Sequence, residues 1–94
     1  MVFLLCRNRV KDFPAWKQVF DSHANSHRVA GLHLTSLWRS TEEPNNVFFL
    51  FAVADLDKAR EFLNAPDAGD AAAESGVLDG EYHFLESSGG YDSP

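Results

Sequence analysis

The sequence predicts an α+β domain with a four-stranded antiparallel sheet and both main helices on one face, in the ferredoxin-like order β-α-β-β-α-β. Three observations predict it. Apolar stretches typical of strands alternate with amphipathic stretches of helical period along the 94 residues. Turn-forming residues at 41–46 (TEEPNN) join two predicted strands, which indicates an antiparallel hairpin. The strand at 47–53 (VFFLFAV) has no polar residue on either face, so both of its faces require cover.

The first half of the chain supplies a strand, a helix and a second strand. Residues 2–10 begin apolar and β-favouring, and residues 13–27 carry apolar side chains at helical spacing behind Asp12, a good N-cap. Residues 29–40 alternate well enough for the second strand. One face of that strand is predicted to hold Ala30, Leu32, Leu34, Ser36 and Trp38.

The second half opens with the doubly apolar strand and continues into helices. Asp55 is a good N-cap for a helix over 56–63, which has an apolar inner face. Residues 68–75 predict a short, weakly amphipathic helix that ends at Gly76. Two helical segments are therefore expected after the hairpin.

The end of the chain predicts a last strand and a tail. A turn around Asp79-Gly80 is expected to precede the strand at 81–86, because Asp-Gly is a strong turn signal. The polar, glycine-rich residues 87–94 predict a flexible tail. One domain over residues 1–86 is the resulting organisation.

Composition and charge narrow the class of protein. The net charge of −6 argues against a nucleic-acid binder, although residues 1–40 hold six Lys/Arg against two Asp/Glu. The apolar start MVFLLC is too short to span a membrane, so no membrane association is expected. The one cysteine, Cys6, suits a reducing compartment and predicts a cytoplasmic protein with this thiol packed in the core.

The doubly apolar strand also predicts the quaternary structure. If helices cover one face of the sheet, the other face exposes an apolar patch larger than a soluble monomer normally carries. A second copy packed sheet against sheet would cover it, so we expect a homodimer. The pattern leaves open which row of side chains lines a pocket and which meets the partner. The two rows are Val47, Phe49, Phe51 and Val53, and Phe48, Leu50 and Ala52.

Several segments together resemble a known family. These are DFPAWKQVFDSH in the first helix, WRS at 38–40, EEPNNVFFLF through the hairpin, DLDKAREFL in the second helix and SGVLDGEYHFLE at the end. Over roughly residues 2–86 the chain resembles the small dimeric α+β-barrel proteins of the antibiotic-biosynthesis-monooxygenase type. The resemblance implies a dimer with a ligand cavity in each protomer, between the helices and the sheet. It also implies one of several chemistries, including cofactor-independent oxygenation, cyclisation, lactone isomerisation and haem degradation, and fold alone does not choose among these.

Two histidines, His23 and His27, are the candidate catalytic residues. They lie four residues apart on the apolar stripe of the first helix, a spacing also used by metal ligands. A third ligand would have to come from His33 or His83, so no metal site is predicted. Two readings remain: histidines that border the core with their polar edge satisfied, or a histidine, preferably His23, that acts as acid, base or hydrogen-bond donor in the pocket.

Asn8 and the large aromatic residues are the candidate substrate-binding residues. In haem-degrading proteins that the chain resembles, an Asn occupies a similar place, but those proteins also use an axial His on the third helix. The segment AGDAAAES has no His, so haem is not expected and Asn8 is a polar residue near a strand end or a pocket residue. The aromatic candidates, which otherwise serve the core, are Trp16, Phe20, Trp38, Phe49 and Phe51.

The predicted function is binding of a small apolar or aromatic molecule. If the protein is an enzyme, the resemblance implies a cofactor-independent monooxygenase or cyclase that acts on an aromatic or polyketide-like substrate. The absence of sequence motifs for nucleotide phosphates and hydrolytic nucleophiles is in keeping with this expectation. The alternative is a non-catalytic ligand-binding or stress-associated module of the same fold. No cofactor is predicted for either.

Overall fold

A computed structural model describes residues 1–89, and it has the predicted α+β fold. Four antiparallel strands form one sheet in the order β2-β3-β1-β4. The ferredoxin-like fold class is confirmed. The predicted helix over 13–27 is divided into two helices, and the two helical segments expected after the hairpin are both present. The elements are β1 (Val2–Val10), α1 (Phe13–Ser22), α2 (Ala24–Val29), β2 (Leu32–Arg39), β3 (Asn46–Val53), α3 (Leu56–Asn64), α4 (Pro66–Ser75) and β4 (Val77–Glu86). Residues 90–94 of the predicted tail lie outside the described residues.

Strand β3 supplies the centre of the core. Its residues alternate between buried and half-buried along the whole strand. Phe49 and Phe51 are 5% and 3% exposed and belong to the core cluster, together with Leu4 and Cys6 of the neighbouring β1. The row that contains Phe49 and Phe51 is therefore the inner row, and Phe48, Leu50 and Ala52 form the outer row.

The two predicted N-caps are confirmed. The Asp12 carboxylate accepts a hydrogen bond from the Ala15 amide at 3.0 Å, and the Asp55 carboxylate accepts one from the Lys58 amide at 3.1 Å. Each bond satisfies an amide that the first turn of a helix leaves without a partner. Gly76 ends α4 in the left-handed conformation, at φ 78°, as the sequence predicts.

The prediction of one continuous helix over 13–27 was wrong. The helix ends at Ser22, and His23 has φ −96° and ψ 9° before α2 begins. Ser22 donates its hydroxyl hydrogen bond to the Val19 carbonyl at 2.6 Å, a local bond of the kind that competes with helix continuation. The chain then re-enters the helical conformation, so His27 stays on the side that faces the sheet.

The predicted extent and facing of β2 were also wrong. Val29 ends α2, and Gly31, at φ 76°, turns the chain so that the strand begins at Leu32. The register then shifts between Leu34 and Ser36, as in a β-bulge, because one extra residue stands on β2. Beyond the bulge Trp38 pairs with Phe48 of the outer row, and it is 50% exposed. Leu37 instead pairs with Phe49 and packs against the core.

Strand β4 begins earlier than predicted, at Val77, so Asp79-Gly80 lies inside a strand and not in a turn. Cross-strand ion pairs favour this pairing: Arg7 Nε lies 2.9 Å from Glu81 Oε1, and Arg9 Nη2 lies 2.6 Å from Asp79 Oδ2. These pairs set opposite charges facing each other on adjacent strands, which stabilises the register.

The outer face of the sheet has an apolar half and a charged half. The apolar half is formed by paired residues of β1, β3 and β4, which include Phe3, Leu5, Leu50 and Leu85. Trp38 and Leu85 are 50% and 45% exposed on this face of the sheet.

Among the helices described, none has the length and apolar character needed to cross a membrane.

Candidate functional site

A cavity of about 870 Å³ lies between the inner face of the sheet and the helices. All four helices and strands β1 to β4 contribute residues to its wall. The buried part of the wall is mostly apolar and aromatic, and the exposed part carries charged residues of α3 and α4. A volume of this size falls in the range of small-molecule sites.

The aromatic wall is a connected set of rings. Trp16 stacks on Phe20 with ring centroids 4.7 Å apart, and it lies 5.6 Å from Phe49. Phe20 also meets Phe49 edge-on at 5.1 Å, and Phe49 meets Phe51 at 5.7 Å. Contacts of this geometry stabilise aromatic pairs beyond simple area burial. Four of the five predicted aromatic site residues therefore lie together at the cavity.

Trp38 is the exception among the predicted aromatic residues. The bulge in β2 places it on the outer face of the sheet, and it is not among the residues that line the cavity. A strict alternation through 29–40 would have placed Trp38 on the same face as Leu32.

Both candidate histidines line the cavity. His27 packs among aromatic rings, with centroid distances of 5.0 Å to Phe20, 5.2 Å to Phe51 and 5.7 Å to Phe62. Burial lowers the pKa of His27, and the neighbouring His23 lowers it further. His27 is therefore a neutral imidazole at pH 7, able to accept a proton.

His23 owes its position to the helix break. Its amide donates to the Phe20 carbonyl at 3.1 Å, and its own carbonyl accepts from the His27 amide at 3.0 Å. Within residues 1–89 neither histidine has a side-chain hydrogen bond to an orienting partner. The pair therefore offers basic nitrogen atoms at the cavity, with no third group to fix their tautomers.

Asn8 and Ser75 are buried polar residues of the cavity wall, and the Ser75 hydroxyl donates to carbonyl oxygens of its own helix. Asn8 differs in its hydrogen bonding. It is 7% exposed, and its Oδ1 is a buried atom that has no hydrogen-bond partner within the part of the chain described. Gly80 makes room for it: a Cβ at Gly80 would lie 2.6 Å from Asn8 Oδ1 and 2.8 Å from the Arg7 carbonyl oxygen. Buried polar groups are nearly always paired, so the amide oxygen needs a partner that residues 1–89 do not supply.

Tyr82 is a cavity residue that the sequence reasoning did not select. It pairs with Cys6 on the inner face, whereas His83 lies on the outer face and 3.1 Å from Glu81. Burial raises the pKa of Tyr82, with a smaller contribution from Cys6, so the phenol stays protonated at neutral pH. Alternation predicts that only one of Tyr82 and His83 faces inward, but without the register it cannot say which.

Cys6 also lines the cavity, and it behaves as the sequence predicts. It is 1% exposed, and burial raises its pKa to about 12. A thiol with so high a pKa carries no thiolate at neutral pH and is inert as a nucleophile. Its role is packing.

No metal site is found among the described residues, where no cluster of three or more His, Cys, Asp and Glu side chains could hold an ion. His33 pairs with Ala52 of the outer row, away from His23 and His27. His33 and His83 therefore both lie on the outer face of the sheet, and neither can supply a third ligand beside His23 and His27.

Several solved structures are similar to this chain in fold. An antibiotic-biosynthesis-monooxygenase-like protein of Deinococcus radiodurans superposes with a TM-score of 0.71 at 18% identity, covering 98% of this chain and 97% of that one. SnoaB, a cofactor-independent oxygenase of Streptomyces nogalater, superposes with a TM-score of 0.72 at 20% identity, covering 95% and 94%. The chain has the fold of these proteins.

A third structure of this group, from Bordetella bronchiseptica, has a TM-score of 0.73 at 14% identity and covers 92% of this chain and 95% of that one. No family model matches the sequence, and no curated protein matches it. The resemblance predicted from the sequence is confirmed at the level of the fold. Identities this low establish the architecture and leave the reaction to be argued from the site.

Proposed function

We propose that the protein binds a small aromatic or polyketide-like molecule in the cavity and acts on it without a cofactor, as a monooxygenase or a cyclase. The observation that carries this proposal is the convergence of Asn8, His23 and His27 on one aromatic-walled cavity of about 870 Å³. A neighbour in fold, SnoaB, is a cofactor-independent oxygenase, which supports the same class of chemistry.

The proposed mechanism uses the neutral imidazole of His27 as a general base. Its pKa is lowered by burial, so at neutral pH the ring is free to take a proton from a substrate carbon or hydroxyl group. The aromatic wall orients the substrate ring and excludes water, and the Asn8 amide bonds a polar substituent. The resulting carbanion would cyclise, or react with O₂. For an activated methylene the balance is CH₂ + O₂ → C=O + H₂O, with the substrate as electron donor.

We also propose that the working form is a homodimer joined through the outer face of the sheet. The apolar half of that face includes the exposed Trp38 and Leu85. Burying such side chains between two copies would remove apolar surface from water, the main favourable contribution to association. The proposed interface lies on the side of the sheet opposite the cavity.

The alternative is a non-catalytic ligand-binding module. It is favoured by one observation: in residues 1–89 neither His23 nor His27 has a side-chain partner to hold its tautomer. A dedicated base is usually oriented by such a partner. The cavity and its aromatic wall would serve binding equally well in this case.

The test measures the rate of oxygen consumption with dithranol, an anthrone with an activated methylene group. The wild type is compared with His27→Leu and with the matched variant His33→Leu. His27 lines the cavity, whereas His33 is exposed on β2. We expect His27→Leu to lower the catalysed rate at least ~100-fold, the low end of general-base effects, and His33→Leu to leave it unchanged.

Binding of dithranol by calorimetry without turnover in the wild type would favour the non-catalytic module. Equal rates in the wild type and both histidine variants would refute His27 as the base.

A further inference from the structure

The charged rim of the cavity suggests which ligands it accepts. Four carboxylates line the cavity from the exposed sides of α3 and α4. Among residues 1–89 the lining contains one lysine, Lys58, and no arginine. The carboxylates are Glu61, Asp67, Asp70 and Glu74. Within residues 1–89 none of them forms an ion pair.

Among the described residues, the buried part of the cavity wall carries no Lys or Arg to offset this rim. The pKa of His27 is lowered by burial, so its ring is neutral at pH 7. The arginines of β1 lie elsewhere: Arg7 and Arg9 pair with Asp79 on the charged half of the outer face. A ligand that enters the cavity therefore meets a field of negative sign.

A second, independent feature points to a ligand in the same cavity. Asn8 lines the cavity, and its side chain is only 7% exposed. Its Oδ1 has no hydrogen-bond partner among the described residues. A hydroxyl or amino group can donate a hydrogen bond to the amide oxygen. The NH₂ group of the same amide can donate to a carboxylate, so Asn8 indicates a polar ligand group without choosing its charge. The acidic rim decides the charge.

We infer that the cavity takes aromatic molecules that are uncharged or cationic, with a hydroxyl or amino substituent, and rejects aromatic anions such as carboxylates and phosphates. The aromatic rings of Phe20 and Phe62 at the wall suit a cationic ligand further, because ring faces attract cations. The inference rests on the proposed function, since it names the class of ligand for the same site.

The size of the charge effect follows from Coulomb's law. In water, two unit charges about 10 Å apart change an equilibrium constant by a factor of roughly two. A rim with a net charge of about −3, from four carboxylates and one ammonium, therefore changes affinity about eightfold for each unit of ligand charge. The difference should nearly vanish near 1 M salt, where the screening length is about 3 Å.

The test measures dissociation constants by calorimetry for three naphthalene probes of matched shape: naphthylmethylamine, naphthol and naphthoate. At about 0.01 M salt we expect the cation and the neutral probe to bind at least eightfold more tightly than the anion. A variant with the rim neutralised should lose most of that ratio. It carries Glu61→Gln, Asp67→Asn, Asp70→Asn and Glu74→Gln.

The matched control removes the same charge away from the cavity. Its four substitutions lie at exposed residues that do not line the cavity, and it should keep the ratio within about twofold. They are Glu42→Gln, Glu43→Gln, Asp57→Asn and Glu86→Gln.

The outcomes separate the two proposals. Binding of all three probes with equal affinity, or an equal loss of the ratio in the rim and control variants, would overturn the charge selection and leave the proposed function intact. No binding of any probe by a folded wild type would overturn both.

Discussion

A charge placed on each face of β3 in turn tests both the assignment of its two rows and the proposed dimer. Phe51 is 3% exposed on the inner row, and its neighbour Leu50 is half-buried on the outer row, paired with Leu5. The variants Phe51→Glu and Leu50→Glu therefore introduce the same side chain at adjacent positions on opposite faces.

The magnitudes differ strongly between the two faces. Removing a buried Phe costs about 3–5 kcal/mol in lost transfer and packing, and Phe51 also loses its contacts with His27 at 5.2 Å and Phe49 at 5.7 Å. A buried carboxyl without a partner adds about 1–3 kcal/mol more. A domain of this size has a free energy of unfolding of about 5–14 kcal/mol, so Phe51→Glu should be largely or wholly unfolded.

Leu50→Glu should leave the protomer folded, because a half-exposed outer position costs a single protomer little. In the proposed dimer, however, two carboxylates would be buried at the sheet-to-sheet contact. Light scattering should therefore give about 10.5 kDa for Leu50→Glu and about twice that mass for the wild type. Circular dichroism and thermal unfolding monitor the fold of each variant.

Three results would count against the reasoning. A Phe51→Glu protein with an unchanged unfolding midpoint would contradict the buried inner row. A Leu50→Glu protein that keeps the mass of the wild-type dimer would contradict the outer face as the interface, and a monomeric wild type at micromolar concentration would contradict the dimer itself.

Three further predictions concern two glycines and the buried His27. Gly80→Ala places a Cβ 2.6 Å from Asn8 Oδ1, and it should cost about 1–3 kcal/mol of stability and weaken ligand binding. In contrast, Gly69→Ala in α4, where a Cβ meets nothing within 4 Å, should stabilise the protein by about 0.5–1 kcal/mol in denaturant titrations. The pKa of His27 is lowered in the folded state, so the unfolded chain binds its proton first as the pH falls through about 6.5. Stability measured from pH 8 to pH 5 should therefore decline more in the wild type than in His27→Leu, and parallel declines would contradict a buried neutral ring.

Local patterns were enough to predict most of the fold. The caps at Asp12 and Asp55 and the stop at Gly76 depend on side-chain and backbone chemistry within a few residues, and each is confirmed. The two apolar rows of β3 follow from strict alternation, and burial of the row with Phe49 and Phe51 is confirmed. Cover of the other row by a second copy stays a prediction. The errors lie where non-local pairing decides the outcome.

The bulge in β2 shows why the site was harder to predict than the fold. A single extra residue between Leu34 and Ser36 exchanges the faces of everything beyond it, which moves Trp38 out of the predicted wall and Leu37 onto the core. Nothing in the local sequence marks the bulge. Likewise, Tyr82 could be assigned to the inner face only once its pairing with Cys6 was known.

The amide of Asn8 is the strongest indication that the cavity is a binding site. A buried carbonyl oxygen with no partner costs about 1–3 kcal/mol, and an apolar side chain of similar size would remove that cost. The fold also requires Gly80 opposite, because any Cβ there would clash with the same oxygen. The protomer thus carries two features that reduce its own stability at the point where β1 meets the cavity. A ligand that donates a hydrogen bond to Asn8 Oδ1 would remove the free-energy penalty of the unpaired oxygen. That penalty, present in the free protein and absent in the complex, would then favour binding.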